Sequence, residues 1–164
     1  MSILPTGVRM TLKIDHIVYP TWEAAVCLAF YRDVMGFTLA DTMSGDDWGG
    51  FPWLMLFFRT GDGREVVRVA LRGVKRPKND ELPHDVRHLA FAEKSVAALQ
   101  PWRKKLRAAN IKFWEETHGR QRSIYFEDPD GTMLEITAPP TRADKASNRA
   151  ALVAAKKWIN AGLA

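Results

Sequence analysis

The feature that most constrains this chain is a repeat. His16 stands 20 residues before Gly36, and His88 stands 22 before Asn110. In both stretches a β-branched strand pattern carries the histidine, an amphipathic helix follows, and a residue that tolerates left-handed backbone ends it. In the first half Leu12 to Tyr19 reads as a strand, Thr21 as a helix cap, Trp22 to Met35 as the helix and Phe37 to Met43 as a strand. A Gly-rich loop at Ser44 to Gly50 and strands at Phe51 to Arg59 and Glu65 to Arg72 complete it. In the second half the same order returns as strand Asp85 to Ala92, helix Ser95 to Ala109, and strands Ile111 to Glu115, Ser123 to Glu127 and Thr132 to Ala138. Each half is a βαβββ unit.

The expected class is therefore α+β: a single domain over 1–164, with a first module at 12–73, a second at 85–139 and a C-terminal helix at 141–164. That helix would carry Leu152, Ala155, Ile159 and Leu163 on one face and dock on the domain or on a second subunit. At 46% hydrophobic and 26% charged residues, the 164-residue chain has globular proportions. Its apolar runs, Ala24 to Phe30 and Phe51 to Phe58, are short of the roughly 20 residues that span a bilayer. No membrane or nucleic-acid partner is expected, because the net charge of +5 is scattered or gathered after Thr141 without a nucleic-acid-binding motif. Cys27, the single cysteine, sits among Ala24, Ala25, Val26 and Leu28 and reads as a buried small hydrophobe. It excludes intrachain disulfides and agrees with a cytoplasmic setting.

His16, His88 and Glu135 are polar groups on otherwise apolar strand faces. A charge such as Glu135 is unfavourable there unless it is paired or binds a cation. Taken singly, each histidine reads as a hydrogen-bonded strand residue. Their repetition at matched positions favours a divalent metal, which neutral imidazoles and a carboxylate suit.

Four stretches, Ile14 to Val18, Phe30 to Phe37, Arg87 to Phe91 and Ser123 to Glu135, resemble the vicinal oxygen chelate superfamily of glyoxalases, bleomycin-resistance proteins, fosfomycin-resistance enzymes and extradiol dioxygenases. The resemblance implies paired βαβββ modules closing a cupped mixed sheet around a metal held by His16, His88 and Glu135. Glyoxalase I enzymes take a further carboxylate from the last strand of the first module. Here the central positions of that strand offer Arg68 or Val69.

The run from His118 through Tyr125, Asp128, Pro129 and Gly131 to Glu135 resembles the extradiol dioxygenase signature, with Glu116 departing from it. By that resemblance Tyr125 and His118 act on a bound catecholate. Arg68, which with Arg72 could bind an anionic substrate, Trp48, which with Trp53 flanks the end of the Gly-rich loop, and Ser123 are the candidate substrate-binding residues. The acid-base histidine expected fifteen residues before His88 is absent, because Gly73 holds that position; His84 is the nearby substitute. His118 itself is expected in a polar loop. A three-residue loop at Pro129 to Gly131 would set Tyr125 opposite Glu135, whereas a two-residue loop would pair Tyr125 with Leu134.

The implied function is a divalent-metal-dependent enzyme, Fe(II) before Mn(II) or Zn(II), cleaving a small aromatic diol as a homodimer. The alternatives are a fosfomycin-resistance-like lyase or transferase and a non-enzymatic drug-binding protein.

Overall fold

The computed structural model describes residues 14–78 and 86–140, with Val153, Lys156 and residues 158–160 beyond them. Those last residues are helical and exposed. The remainder of the expected C-terminal helix, including Leu152, Ala155 and Leu163, lies outside the described residues, as do the start of the first strand at Leu12 and the loop residue His84.

Both halves fold by one plan. The first comprises β1 (His16–Thr21), α1 (Ala24–Ala29) running into a π-helical turn (Phe30–Val34), β2 (Thr38–Trp48), β3 (Phe51–Arg59) and β4 (Glu65–Leu71). The second comprises β5 (His88–Ala92), a 3₁₀ turn (Val96–Ala98), α2 (Leu99–Ala108), β6 (Phe113–His118), β7 (Gln121–Glu127) and β8 (Met133–Ala138). Each makes a four-stranded mixed sheet, in the orders β1-β4-β3-β2 and β5-β8-β7-β6. Within each sheet the first strand runs parallel to the last, which the intervening helix makes possible, and the other pairs are antiparallel. Gly36 and Asn110, the expected helix-ending residues, have φ of 73° and 55°, in the left-handed region.

Alternation along the strands separates two faces per sheet. Val66, Arg68, Leu56 and Phe58 face inward on the first sheet, and Ile124, Phe126, Leu134 and Ile136 do so on the second. Cys27, Phe30 and Tyr31 from the first helical segment and Leu99 and Leu106 from α2 pack with them into one hydrophobic cluster shared by both units. Phe37 and Phe91 meet edge to face across the units, with ring centroids 5.2 Å apart. His16 and Val18 point outward on the first sheet, and His88, Tyr125 and Glu135 share the outward face of the second.

Two elements differ from the sequence reading. β2 continues through the expected Gly-rich loop, and only Gly49 and Gly50 form the turn, with φ of 62° and 92°. Gly45 is needed for close packing: a Cβ there would run into the indole of Trp53. Thr21 does not cap the first helix: α1 begins at Ala24 behind Glu23 with no side-chain cap bond, and just ahead of it the main-chain N–H of Trp22 donates to Asp130 Oδ1 of the second unit at 2.9 Å.

Arg68 is the polar centre of the core, and no part of its side chain is exposed. Its Nη2 donates to Asp130 Oδ2 and to the Pro20 carbonyl, both at 2.8 Å, and lies 3.1 Å from Asp128 Oδ2. Its Nη1 donates to Thr132 Oγ1 at 3.2 Å. The Tyr31 hydroxyl also donates to Asp128, at 2.9 Å. Burial pushes the Asp128 carboxyl above its ordinary range, and Arg68 pulls against that rise. Removing one member of such a set strands the others in the interior. Arg68→Met is therefore expected to lower the unfolding free energy by about 3–5 kcal/mol in urea titrations; a loss below about 1 kcal/mol, the scale of an exposed ion pair, would overturn this placement of the guanidinium.

Cys27 is fully buried, and burial pushes its thiol up to about 11. The thiolate is the reactive form. An Ellman-type reagent at pH 8 should leave the native protein unmodified over minutes and label one equivalent in urea; rapid native labelling would contradict the burial.

Candidate metal and substrate site

The outward face of the second sheet gathers the chemistry. The main-chain N–H of Gly131 donates to the Asp128 carbonyl at 2.9 Å and that of Asp128 to the Thr132 carbonyl at 3.0 Å, closing a three-residue loop at 129–131. Tyr125 consequently pairs with Glu135, the register that a three-residue loop dictates. In the neighbouring parallel pair Ala90 stands beside Glu135 and His88 beside Met133, which brings His88 to Glu135 on the diagonal.

His88 Nε2 lies 3.1 Å from Glu135 Oε2. The Glu135 residue is only 7% exposed. Tyr125 hydrogen-bonds to it, and burial first, then the Glu135 charge, pushes the Tyr125 hydroxyl up to about 12. Tyr125 therefore remains a proton donor at neutral pH. On its other side the hydroxyl is 3.2 Å from His118 Nε2, and the Trp114 ring stacks on the Tyr125 ring at 5.4 Å and 17°. The sequence reading had His118 in a loop. It is the last residue of β6, and the strand is what aims it at Tyr125.

The remaining expected site residues fall elsewhere. His16 does not join His88 and Glu135: its Nδ1 is bonded to Asp15 Oδ2 at 2.8 Å, and among the described residues no three His, Cys, Asp or Glu side chains converge on one ion position. The expectation that Arg68 lines the pocket is corrected. Arg68 shares its face with Tyr19, one residue out of phase with His16, and points into the core. Outward positions of that strand are held by Val67, Val69 and Leu71, which cannot ligate, and by Glu65, which is ion-paired to Arg59 at 2.9 Å. Ser123 lies on the same face as Tyr125 but is fully buried, its hydroxyl donating to Thr137 Oγ1 at 3.0 Å and bonding Tyr125. It supports Tyr125 from behind and is not open to a ligand. Trp48 is half exposed near the β2–β3 turn, edge to face on Trp53 at 5.5 Å. Sequence reasoning missed Trp114 and Glu116 as contributors; their period-two spacing ahead of His118 was the available signal.

The donor set suits a divalent ion. An imidazole nitrogen and a carboxylate oxygen 3.1 Å apart match neighbouring ligands of a single ion, which stand about 3 Å apart when each bond is about 2.1 Å.

Residues 13–136 match the family model of the Glyoxalase/Bleomycin resistance protein/Dioxygenase superfamily, and the chain belongs to that superfamily. The YaeR protein of Escherichia coli (strain K12) is 29% identical over 133 residues, which cover 76% of this chain and 94% of YaeR. The metallothiol transferase FosB of Staphylococcus haemolyticus is 29% identical over 133 residues, covering 77% and 84% of the two chains. Among solved structures, a glyoxylase/bleomycin resistance protein/dioxygenase domain from Frankia sp. superposes with a TM-score of 0.65 at 16% identity, over 80% of this chain and all of that one. The fosfomycin resistance protein FosX of Listeria monocytogenes, solved with Mn(II) and sulfate, gives 0.57 at 18% identity, over 80% and 95%. The superfamily includes metal-dependent lyases, transferases and dioxygenases. Among the described residues no helix is long and apolar enough to cross a membrane.

Proposed function

We propose that this chain is a divalent-metal-dependent enzyme acting on a small aromatic diol, with extradiol ring cleavage as its reaction. The observation that carries this reading is the side-by-side placement of the His88–Glu135 donor pair and the Tyr125–Trp114 aromatic stack on a sheet face without cations. The outward positions of the eight strands carry one Lys or Arg, Arg59, and Glu65 already takes its charge. Among the described strand residues a phosphonate dianion would find no outward Lys or Arg without an acidic partner, whereas an uncharged aromatic ring finds a stacking partner. The second reading, fosfomycin-type transfer, is favoured by the likeness to FosB.

His88 and Glu135 would hold the ion, and His16 would complete the set. When bound, a divalent ion, Fe(II) for ring cleavage and Mn(II) or Zn(II) for the alternatives, supplies a positive centre that draws the two diol oxygens and makes them more acidic. Tyr125 offers its hydroxyl proton beside Glu135, and the Trp114 ring restricts water at the site's edge.

The missing third ligand is the reason for a homodimer. The His16 side chain is 47% exposed, on a face where Val18 and Met43 are 41% and 52% exposed. A second copy that laid this apolar face over the outward face of the second sheet would cover it and bring His16 to the His88–Glu135 pair. Two such sites form at once, because a twofold interface is reciprocal. His16→Ala and Glu135→Ala should each lose metal. Mixed after joint unfolding and refolding, they should regain about a quarter of the wild-type metal, since half the dimers are mixed and each holds one intact site of two. Full metal retention in either variant alone, or no recovery on mixing, would refute the shared site.

For the chemistry, Tyr125→Phe should retain metal and lose about 10²-fold or more of catechol turnover, because only the proton-bearing hydroxyl is removed. Fe(II)-loaded wild-type protein that opens no catechol in a broad panel, while Mn(II)-loaded protein consumes fosfomycin with a thiol, would replace the first reading with the second.

A further inference from the structure

Glu116 stands where the dioxygenase-like signature of this chain is broken, and the structure gives it two partners. Trp114, Glu116 and His118 alternate along β6 and so share the outward face, opposite Tyr125, Ser123 and Gln121 of β7. The Trp114 indole N–H donates to Glu116 Oε1 at 2.9 Å. Glu116 Oε2 lies 3.2 Å from His118 Nε2. That same nitrogen is 3.2 Å from the Tyr125 hydroxyl.

A carboxylate at this distance favours the tautomer with hydrogen on the facing ring nitrogen, because two lone pairs would repel. His118 Nε2 is therefore a donor, and its single hydrogen is shared between Glu116 Oε2 and the Tyr125 oxygen, each 3.2 Å away. The Tyr125 proton is then turned away from His118, toward Glu135, the carboxylate among its remaining partners Glu135 and Ser123. The His118 side chain is 51% exposed, so the ring is open to solvent.

We propose that Glu116 is a positioning residue: it fixes the proton on His118 Nε2 and holds that nitrogen on Tyr125, so that His118 and Tyr125 pass protons between solvent and the substrate. The proposal rests on the enzymatic reading given above. In the delivering direction His118 takes a proton from water at Nδ1 and gives its Nε2 proton to the Tyr125 oxygen, while Tyr125 gives its own proton to a substrate oxygen. One proton has moved from water to substrate, Tyr125 is again neutral, and the imidazole has changed tautomer. The removing direction is the reverse. Glu116 favours return to the Nε2–H form, which resets the string. This arrangement supplies from β6 the proton exchange for which Gly73 offers no side chain.

The test compares wild type with Glu116→Asp, Glu116→Gln and Glu116→Leu, in metal-free protein for spectroscopy and Fe(II)-loaded protein for kinetics. The chain has four histidines, so nitrogen-15 spectra of the imidazoles can be assigned with single His→Gln variants. In wild type the neutral His118 ring should be protonated at Nε2. In Glu116→Leu the Nδ1–H form should grow as the Tyr125 hydroxyl turns to donate to Nε2. On a catechol, Glu116→Gln and Glu116→Leu should lose about 10- to 100-fold in kcat, with KM within about 2-fold and metal content unchanged, and Glu116→Asp should recover much of the loss. An unchanged His118 tautomer in Glu116→Leu overturns the proposal, as does a Glu116→Gln enzyme with wild-type kcat. If wild-type protein turns over no catechol, the enzymatic reading falls and the imidazole spectra still decide the placement of His118 by Glu116.

Discussion

A guanidinium buried where two structural repeats meet is costly to desolvate, and here it is tolerated because its charge is matched within hydrogen-bonding distance. Arg68 of β4 reaches Asp128 and Asp130, which belong to the turn before β8, and the Pro20 carbonyl, which belongs to β1. One side chain thus ties the parallel pair of the first sheet to the turn of the second. That turn in its own right sets the pairing of β7 with β8. Its three-residue loop puts Tyr125 opposite Glu135, and a loop one residue shorter would send one of the two to the hydrophobic face. The site's register therefore depends on a contact on the far side of the sheet. Gly131, with φ of 76°, allows the turn its left-handed corner and leaves space for Arg76, whose Nη2 a Cβ there would crowd.

The duplication was readable because it is written in residue types with sharp conformational meaning. A histidine on a β-branched strand and a helix ended by Gly36 or Asn110 mark the same points in each unit, and both ending residues have positive φ. The turn allowed two registers, and the resemblance to the dioxygenase signature favoured the one observed, Tyr125 with Glu135. The face of Arg68 was not readable, because the strands of the first sheet are apolar on both sides and alternation offers no contrast to set their phase. Val66 and Val67 are both buried, one on each face. Only the pairing of Tyr19 with Arg68, seen in the folded chain, shows that His16 and Arg68 point in opposite directions.

The hairpin and His118 were misread for a related reason. Composition alone made Ser44 to Gly50 look like a loop, yet the cross-strand partners Met55, Leu54 and Trp53 hold Met43, Ser44 and Gly45 in the ladder. A glycine in a strand is costly on its own, but here it makes room for an indole ring. His118 pairs with Gln121 across a turn at 119–120, so polar residues continue the strand to its end. Tertiary partners supplied what local propensity lacked in both places.

The two repeats have diverged in a complementary way. Each keeps a histidine on its first strand, but the outward face of the first sheet is chiefly apolar, with Val18, Met43, Met55 and Val69, whereas that of the second holds Glu116, His118, Tyr125 and Glu135. A polar face alone leaves the nearly buried Glu135 with one imidazole as its ligating neighbour, one donor short of a three-ligand site. An apolar face alone offers one exposed histidine and no chemistry. In the proposed dimer the first face would cover the second and bring it an imidazole, and in that drier setting the charges on the polar face would interact more strongly with their neighbours.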